Sequence, residues 1–315
     1  MVDRVPVLFV AGTGRTGSTL VGNILASTPG AVSVGEVRHV WTRGLIQNWF
    51  CGCGQPFGEC PFWQAVLREG FGRSRKLDIA RIQESERSLL RLRAGGRALS
   101  WVDGSERVRA LHGYYFDVIE RLYPAIAKVA AAEVIIDSSK TPTYAAVLAN
   151  VSSVDLRVLH LVRDPRATAY SWLNPKPSPD RGAGETMDRI GVVKGTLLWR
   201  RWNYLSDRLW AARPDVRVER ITYEKLTESP ESSLKSVRDQ LVPELAGRSL
   251  DIDGRTAQLD VAHTVSGNPE RMKTGSVTIQ TDERWRSGLP RRQQAVVLAI
   301  AGPGMLRYGY RRRLQ

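Results

Sequence analysis

Cysteine is scarce: three residues in 315, all within the ten positions from Cys51 to Cys60. So few, so close together, provide no disulfide framework for a chain of this length. Long apolar runs are missing too. No window approaches 18 uncharged apolar residues, so no membrane-spanning helix is expected. The N-terminal apolar stretch Val5 to Ala11 is short and soon followed by Arg15, which excludes a signal peptide and makes a cytoplasmic location the expectation. Acidic residues are in deficit, with 32 Asp and Glu against 46 Lys and Arg, a formal net charge of +14. An excess of that size implies an anionic partner: nucleic acid, an acidic membrane surface or a phosphorylated small molecule.

The basic residues are dispersed, and only Arg311-Arg312-Arg313 forms a run. A nucleic-acid-binding protein would cluster Lys and Arg with aromatics along one face, so no nucleic-acid partner is expected. The tail leaves room for peripheral contact with an anionic membrane, although two or three charges alone bind weakly. Oligomeric state is not encoded in any of these features. The apolar share of 42 % is that of a chain with a real core, and the length suits one large α/β domain, read here as residues 1–315.

The first thirty residues read as strand, loop and helix. Val5 to Ala11 is a continuous run rich in β-formers, as in a strand buried on both faces. Gly12 to Gly17 punctuates, a helix starts at Ser18 with Leu20, Ile24 and Leu25 on one face, and Pro29-Gly30 ends it. Residues 60–130 form a helical excursion, including Ile82 to Leu92 and Leu111 to Leu122. The α/β rhythm returns with a strand at Glu133 to Asp137, a helix at Tyr144 to Asn150 and a strand at Leu156 to Val162. Asp164-Pro165 then supplies an N-cap and a first-turn proline for a helix through Ser171. An amphipathic helix at about 195–212 and a strand at Val216 to Ile221 follow, and Pro175 to Gly184 reads as a surface loop. The fold class is α/β, a P-loop-like parallel β-sheet flanked by helices, with a helical excursion.

The sharpest feature is Gly12-Thr13-Gly14-Arg15-Thr16-Gly17-Ser18-Thr19 between the first strand and helix. Glycines let the backbone fold around an anion, and the helix N-terminus adds N–H donors and its dipole. The spacing is almost that of the nucleotide loop G-x-x-x-x-G-K-[ST], but Ser18 stands where that pattern needs Lys. Without the Lys a triphosphate is poorly served. A single 5'-phosphate bearing one transferable group needs less, and Arg15 with the hydroxyls of Thr16, Ser18 and Thr19 suffices without a metal. A tight glycine turn that binds nothing is the alternative. A degenerate kinase or NTPase would instead enlist Thr19 and Asp137 for Mg²⁺.

Arg15-Thr-Gly-Ser-Thr-Leu20 after a buried strand resembles the 5'-phosphosulfate loop of sulfotransferases that use 3'-phosphoadenosine 5'-phosphosulfate (PAPS), especially their carbohydrate-type and bacterial branch. Gly35-Glu36-Val37-Arg38-His39-Val40-Trp41 and Cys51-Gly-Cys-Gly54 leading to Cys60-Pro-Phe-Trp63 are similar to the same branch. Arg163-Asp164-Pro165-Arg166 with Ser171 resembles the family's 3'-phosphate site. That site also makes physical sense: Arg163 emerges at the carboxyl end of a strand, where open α/β sheets bind ligands, and a guanidinium fork suits a phosphate dianion. Weaker matches are Asp137-Ser-Ser-Lys140, Thr222-Tyr-Glu-Lys-Leu226 with Ser229-Pro230, and the stretch Gly267-Asn268-Pro269 through Arg271, Lys273 and Gly275 to Trp285. The last resembles a donor-covering loop.

The resemblance implies transfer of a sulfuryl group to an acceptor hydroxyl, on a carbohydrate, glycolipid or small metabolite. The donor-binding set is Gly14, Arg15, Thr16, Gly17, Ser18, Thr19, Arg163, Ser171, Arg271, Lys273 and Gly275. Arg15 would neutralise charge on the bridging oxygen, and Glu36 is the candidate base, with His39 and Lys140 as alternatives. Acceptor specificity is expected in residues 64–130 and 173–215. Trp199, Trp202 and Trp210 recur at helical spacing and read as core, whereas Trp41 and Trp285 are better placed for ring contact with a ligand. The cysteines read as reduced, partly buried thiols. Zinc would need a recruited histidine, and C-x-C is tighter than the usual spacing. No metal is therefore expected.

Overall fold

The structure, a computed structural model, describes residues 4–73, 77–90, 106–182 and 184–314. The parts of the helical excursion at residues 74–76 and 91–105 lie outside them, as does the end of the helix expected at Ile82 to Leu92.

The apolar run at the N-terminus forms β1 (Val5–Ala11), in which Val7 through Ala11 have no exposed surface. Alternate residues of a strand point to opposite faces. Accordingly Val7, Phe9 and Ala11 enter one core cluster and Leu8 and Val10 another. Such double-sided burial requires a central strand. β1 is that strand, in the five-stranded sheet β2-β3-β1-β4-β5, with every pairing parallel. The other members are β2 (Ala31–Gly35), β3 (Val134–Lys140), β4 (Val154–Val162) and β5 (Arg217–Thr222).

Helices cover both faces. α1 (Ser18–Leu25) follows β1, and the helical excursion supplies α2 (Pro61–Phe71), α3 (Ile79–Leu89) and α4 (Glu106–Ala130). Then come α5 (Pro142–Leu148), α6 (Pro165–Leu173), α7 (Val192–Ala211), α8 (Tyr223–Glu228) and α9 (Pro230–Leu241). Short α10 (Trp285–Gly288) and long α11 (Arg291–Arg307) end the chain. Among the described residues no helix is long and apolar enough to cross a membrane.

Three expected strands are present with ends shifted by one to three residues. Two features were not anticipated. β2 is five residues with Ser and Gly among them, bounded by Gly30 at φ 90° and by Gly35 at φ 72°, so it lacks the β-branched run that marks a strand. The antiparallel sheet β6 (Ile252–Asp253), β7 (Thr256–Leu259) and β8 (Gly275–Thr278) is built from strands of two to four residues. Its position is set by the segment between β7 and β8: Val265 bridges Gly35, and Glu36 N–H donates to Val265 O at 2.7 Å. The C-terminal region is thereby sewn to the carboxyl edge of the main sheet.

Candidate active site

Each parallel strand delivers a polar group at its carboxyl end, the edge at which open α/β sheets hold ligands. From β1 comes the glycine loop. A Cβ on Gly12 would lie 2.3 Å from Leu161 O, so only glycine lets the chain leave the sheet against β4. Gly17 at φ 87° makes the second turn, and Arg15 itself adopts φ 72°, a conformation rare for residues with a side chain. Thr16 Oγ1 donates to Thr13 O at 3.0 Å and has no exposed surface, so it fastens the loop rather than facing out. Arg15 lies over the Trp172 ring at 4.7 Å and donates through Nη1 to Met187 Sδ at 3.0 Å. Its Nε and Nη2 are buried without hydrogen-bond partners.

Arg163 stands at the end of β4, just ahead of the Asp164 cap whose carboxylate accepts from Arg166 N–H. Its Nη1 donates to Arg15 O at 3.0 Å, joining this arginine to the glycine loop. Nη2 lies 3.2 Å from Asp282 Oδ2, the guanidinium sits 4.3 Å over the Tyr223 ring, and Nε is buried without a partner. Hydrogen bonding from Arg284, then the charge of Arg163, holds the Asp282 carboxyl far below the ordinary range.

A third group gathers at the ends of β2 and β3. Lys140, itself at φ 65°, places Nζ 2.5 Å from Glu36 Oε1 and 3.0 Å from Ser138 O. His39 Nε2 lies 3.5 Å from Glu36 Oε2. Burial pushes the Glu36 carboxyl up, but Lys140, Arg38 and Arg43 together outweigh it and hold the group below 4.5. His39 falls well below 6.5, through burial first and then through Arg38 and Arg43. At neutral pH Glu36 is thus a carboxylate and His39 a neutral imidazole. Gly267, at φ 110°, passes so close that a Cβ there would lie 3.2 Å from Glu36 Oε1 and 3.7 Å from Thr19 Oγ1.

All three groups border one cavity of about 620 Å³. Gly14, Arg15, Gly17, Ser18 and Thr19 line it from the loop; Glu36, His39 and Lys140 from β2 and β3; Arg163, Ser171 and Lys273 from β4, α6 and the C-terminal arm. A second cavity of about 600 Å³ shares Arg38, His39, Arg43, Trp49, Arg181 and Asp188 with the first.

Several expectations are corrected. Arg271 does not reach the cavity: it is 1 % exposed, pairs with Asp180 at 3.1 Å and donates to Phe50 O and Thr264 O. Gly275 opens β8 outside the lining. Trp41 is wholly buried, edge-on to Phe71, and Trp285 lies beneath Arg166, away from this cavity. Trp199 and Trp210 are core, but Trp202 lines the cavity. Asp137 is also spoken for: it has no exposed surface, and it accepts from Tyr123 OH at 2.6 Å and Ser139 N–H at 2.8 Å. Trp172, Tyr223, Trp49 and Asp282 line the cavity unanticipated. Tryptophan and tyrosine in helical stretches carry no local sign of whether they face core or ligand.

Residues 6–244 match the family model described as "Sulfotransferase family". The chain belongs to the sulfotransferase family. One solved structure shares the fold of this sulfotransferase over nearly its whole length. The sulfotransferase domain from the curacin biosynthetic pathway covers 98 % of this chain and 99 % of its own, at 18 % identity and a TM-score of 0.51. The sulfotransferase domain from the Synechococcus PCC 7002 olefin synthase covers 96 % of each chain, at 20 % identity and a TM-score of 0.49. No curated protein matches the sequence at a significant level.

Proposed function

We propose that this sulfotransferase uses PAPS as donor and transfers its sulfuryl group to a hydroxyl of a hydrophilic acceptor, a carbohydrate or small metabolite. The observation that carries the reading is the pair of arginines at one cavity, Arg15 half-buried and Arg163 buried, linked through the Arg15 carbonyl and leaving Nε and Nη2 of Arg15 and Nε of Arg163 buried without partners. Buried cationic donors without partners cost free energy unless an anion completes them. Two such donors suit a ligand with two separate anionic groups.

In this reading the glycine loop and the first turn of α1 hold the 5'-phosphosulfate, with Ser18 and Thr19 on its oxygens and Arg15 on the bridging oxygen. Arg163 and Ser171 hold the 3'-phosphate, and Lys273 adds charge at the rim. The acceptor oxygen attacks sulfur as the bond from sulfur to the 5'-phosphate oxygen breaks. The electron pair of that bond leaves with 3'-phosphoadenosine 5'-phosphate (PAP), whose new charge Arg15 stabilises. The acceptor proton goes to Glu36. A carboxylate held below its usual pKa is a weak base, yet it suffices, because the acceptor hydroxyl becomes strongly acidic as its oxygen bonds to sulfur. Lys140 keeps Glu36 ionised inside the buried site.

The acceptor enters through the second cavity, which meets the first at His39 and Arg43. Its wall is polar and cationic: Trp49 carries Arg43 at 4.8 Å and Arg181 at 4.9 Å, and Arg38 and Glu86 stand nearby. That lining suits a hydroxylated acceptor better than an aliphatic one. A phosphotransferase reading is disfavoured, because the acid it would enlist for Mg²⁺, Asp137, is sealed in the core with both oxygens occupied.

Calorimetric titration with PAP, AMP and ATP, without added Mg²⁺, tests the donor. Tight binding that needs the 3'-phosphate is the expected result. Preference for ATP with Mg²⁺, or no nucleotide binding, would sink the proposal.

A further inference from the structure

The three cysteines lie outside the chemistry derived above, yet they do not lie apart. The turn after β2 and its helical segment brings Cys51 and Cys53 to the start of α2, where Cys60 is the N-cap. Two hundred and three residues beyond Cys60, His263 arrives at the same point. Cys60 Sγ is 3.3 Å and Cys51 Sγ 3.9 Å from His263 Nδ1, and Cys53 Sγ is 3.7 Å from Cys60 Sγ. All four ligand atoms lie within 4.8 Å of one another.

We propose that Cys51, Cys53, Cys60 and His263 bind one Zn²⁺ ion as a closed, structural site. Zn–S bonds of about 2.3 Å and Zn–N bonds of about 2.0–2.1 Å in a tetrahedron put sulfurs about 3.8 Å apart and sulfur about 3.6 Å from nitrogen. The Cys53–Cys60 separation of 3.7 Å matches the first value, and the two sulfur–nitrogen separations of 3.9 and 3.3 Å straddle the second. A disulfide would need about 2.05 Å, and all three cysteines are free. Three thiolates and an imidazole favour zinc over the hard cations. With four protein ligands no position is left open for a substrate, so the role is structural.

The surroundings are built to hold these four groups. Gly54, at φ 84°, turns the chain so that its N–H donates to Cys51 O at 2.9 Å, and Cys51 N–H donates to Gln55 O at 2.8 Å. Gly52 donates to Thr264 O at 2.9 Å, and a Cβ there would lie 2.3 Å from both Ala262 O and Thr264 Oγ1. The cysteine turn therefore lies flat on the segment that carries the histidine. The His263 ring stacks on Phe62 at 4.9 Å and 9°, and its carbonyl accepts from Trp63 Nε1 at 2.9 Å. Tight C-x-C spacing is accommodated because the fourth ligand comes from a distant segment rather than from the same turn. Two residues further on, Val265 pairs with Gly35 and receives the Glu36 N–H. The ion would thus pin the C-terminal arm to the helical excursion beside the candidate base.

The test is made on the full wild-type chain expressed in zinc-supplemented medium, desalted and measured by elemental mass spectrometry. One zinc per chain is expected, with thiols that react slowly with Ellman's reagent until a chelator is added. Replacement by Co²⁺ should give the intense visible bands and thiolate charge-transfer absorption of a tetrahedral sulfur-rich site. Cys53→Ser, at the one half-buried ligand cysteine, should lose the metal; His263→Gln should weaken zinc binding by an order of magnitude or more in chelator competition. A folded wild-type chain that carries no metal, titrates three fast thiols and gives no cobalt spectrum would overturn the site. So would a Cys53–Cys60 disulfide found by peptide mapping, or stoichiometric iron or copper in place of zinc. Because the decisive readings use the wild type, misfolding of a variant does not rescue the idea.

Discussion

Lys140 Nζ rests 2.5 Å from Glu36 Oε1 although 104 residues separate the two in the chain. β2 and β3 are neighbours in the sheet, and the contact forms where both strands end. Its consequence is electrostatic. Burial alone would drive the Glu36 carboxyl upward, and the charge of Lys140 is the leading influence that brings it back down.

Glu36→Gln should lower turnover by about 10²–10⁴-fold, the usual contribution of a positioned acid–base group, with PAP affinity unchanged. Because the Glu36 pKa lies below 4.5, the acid limb of the wild-type rate profile should fall below that value. The stability this carboxylate contributes is present above its unfolded pKa and is lost as pH falls through the folded one. Lys140→Met removes the principal opposing charge, so the acid limb should move upward toward neutrality. A profile that stays put in Lys140→Met would show that Glu36 is not the titrating group.

Arg163 and Asp282 form a pair that competes with a bound phosphate. Arg163→Ala should weaken PAP binding by about 1.5–3 kcal/mol, the range for hydrogen bonds to charged groups, or roughly 10- to 150-fold. AMP, lacking the 3'-phosphate, should be hardly affected. Asp282→Asn should tighten PAP binding, since it releases the guanidinium and removes a nearby negative charge. Equal losses for PAP and AMP in Arg163→Ala would move the 3'-phosphate elsewhere.

Glu86 lines the second cavity and burial pushes its carboxyl up to about 7, against the smaller opposing influence of Arg38 and Arg87. If the acceptor occupies that cavity, its KM should change as pH crosses 7 in the wild type and stay flat in Glu86→Gln. Stability should also fall as pH rises between the unfolded value and about 7, because the folded chain holds this proton more tightly. Replacement by Gln should remove that slope from a series of denaturant midpoints.

Arg271 and Asp180 are both almost completely buried. Breaking such a pair by removing one partner typically costs about 3–5 kcal/mol. Arg271→Ala should therefore lower the unfolding midpoint markedly, while whatever folded protein remains binds PAP normally. Loss of PAP affinity without loss of stability would return Arg271 to the donor site.

The family, the parallel sheet and the groups at its carboxyl edge were legible because each is a local pattern. A buried strand must be continuously apolar, a loop around an anion must be rich in glycine, and a capped helix start must carry Asp-Pro. Of the residues that these patterns and the family resemblance name, Gly14, Arg15, Gly17, Ser18, Thr19, Glu36, His39, Lys140, Arg163, Ser171 and Lys273 line one cavity, whereas the Thr16 side chain, Arg271 and Gly275 do not. Other questions could be answered only in three dimensions. An arginine in a basic loop looks the same whether it faces a ligand or, like Arg271, an internal carboxylate, since the choice depends on where Asp180 arrives. A tryptophan contributes apolar area wherever it is buried, so Trp202 and Trp41 exchange their expected places. His263 joins the cysteines because a short antiparallel sheet, with strands too brief to carry a periodic signal, folds back across the end of β2. Local chemistry determined which groups this protein has available; long-range packing, which no short window of sequence encodes, decided which of them meet.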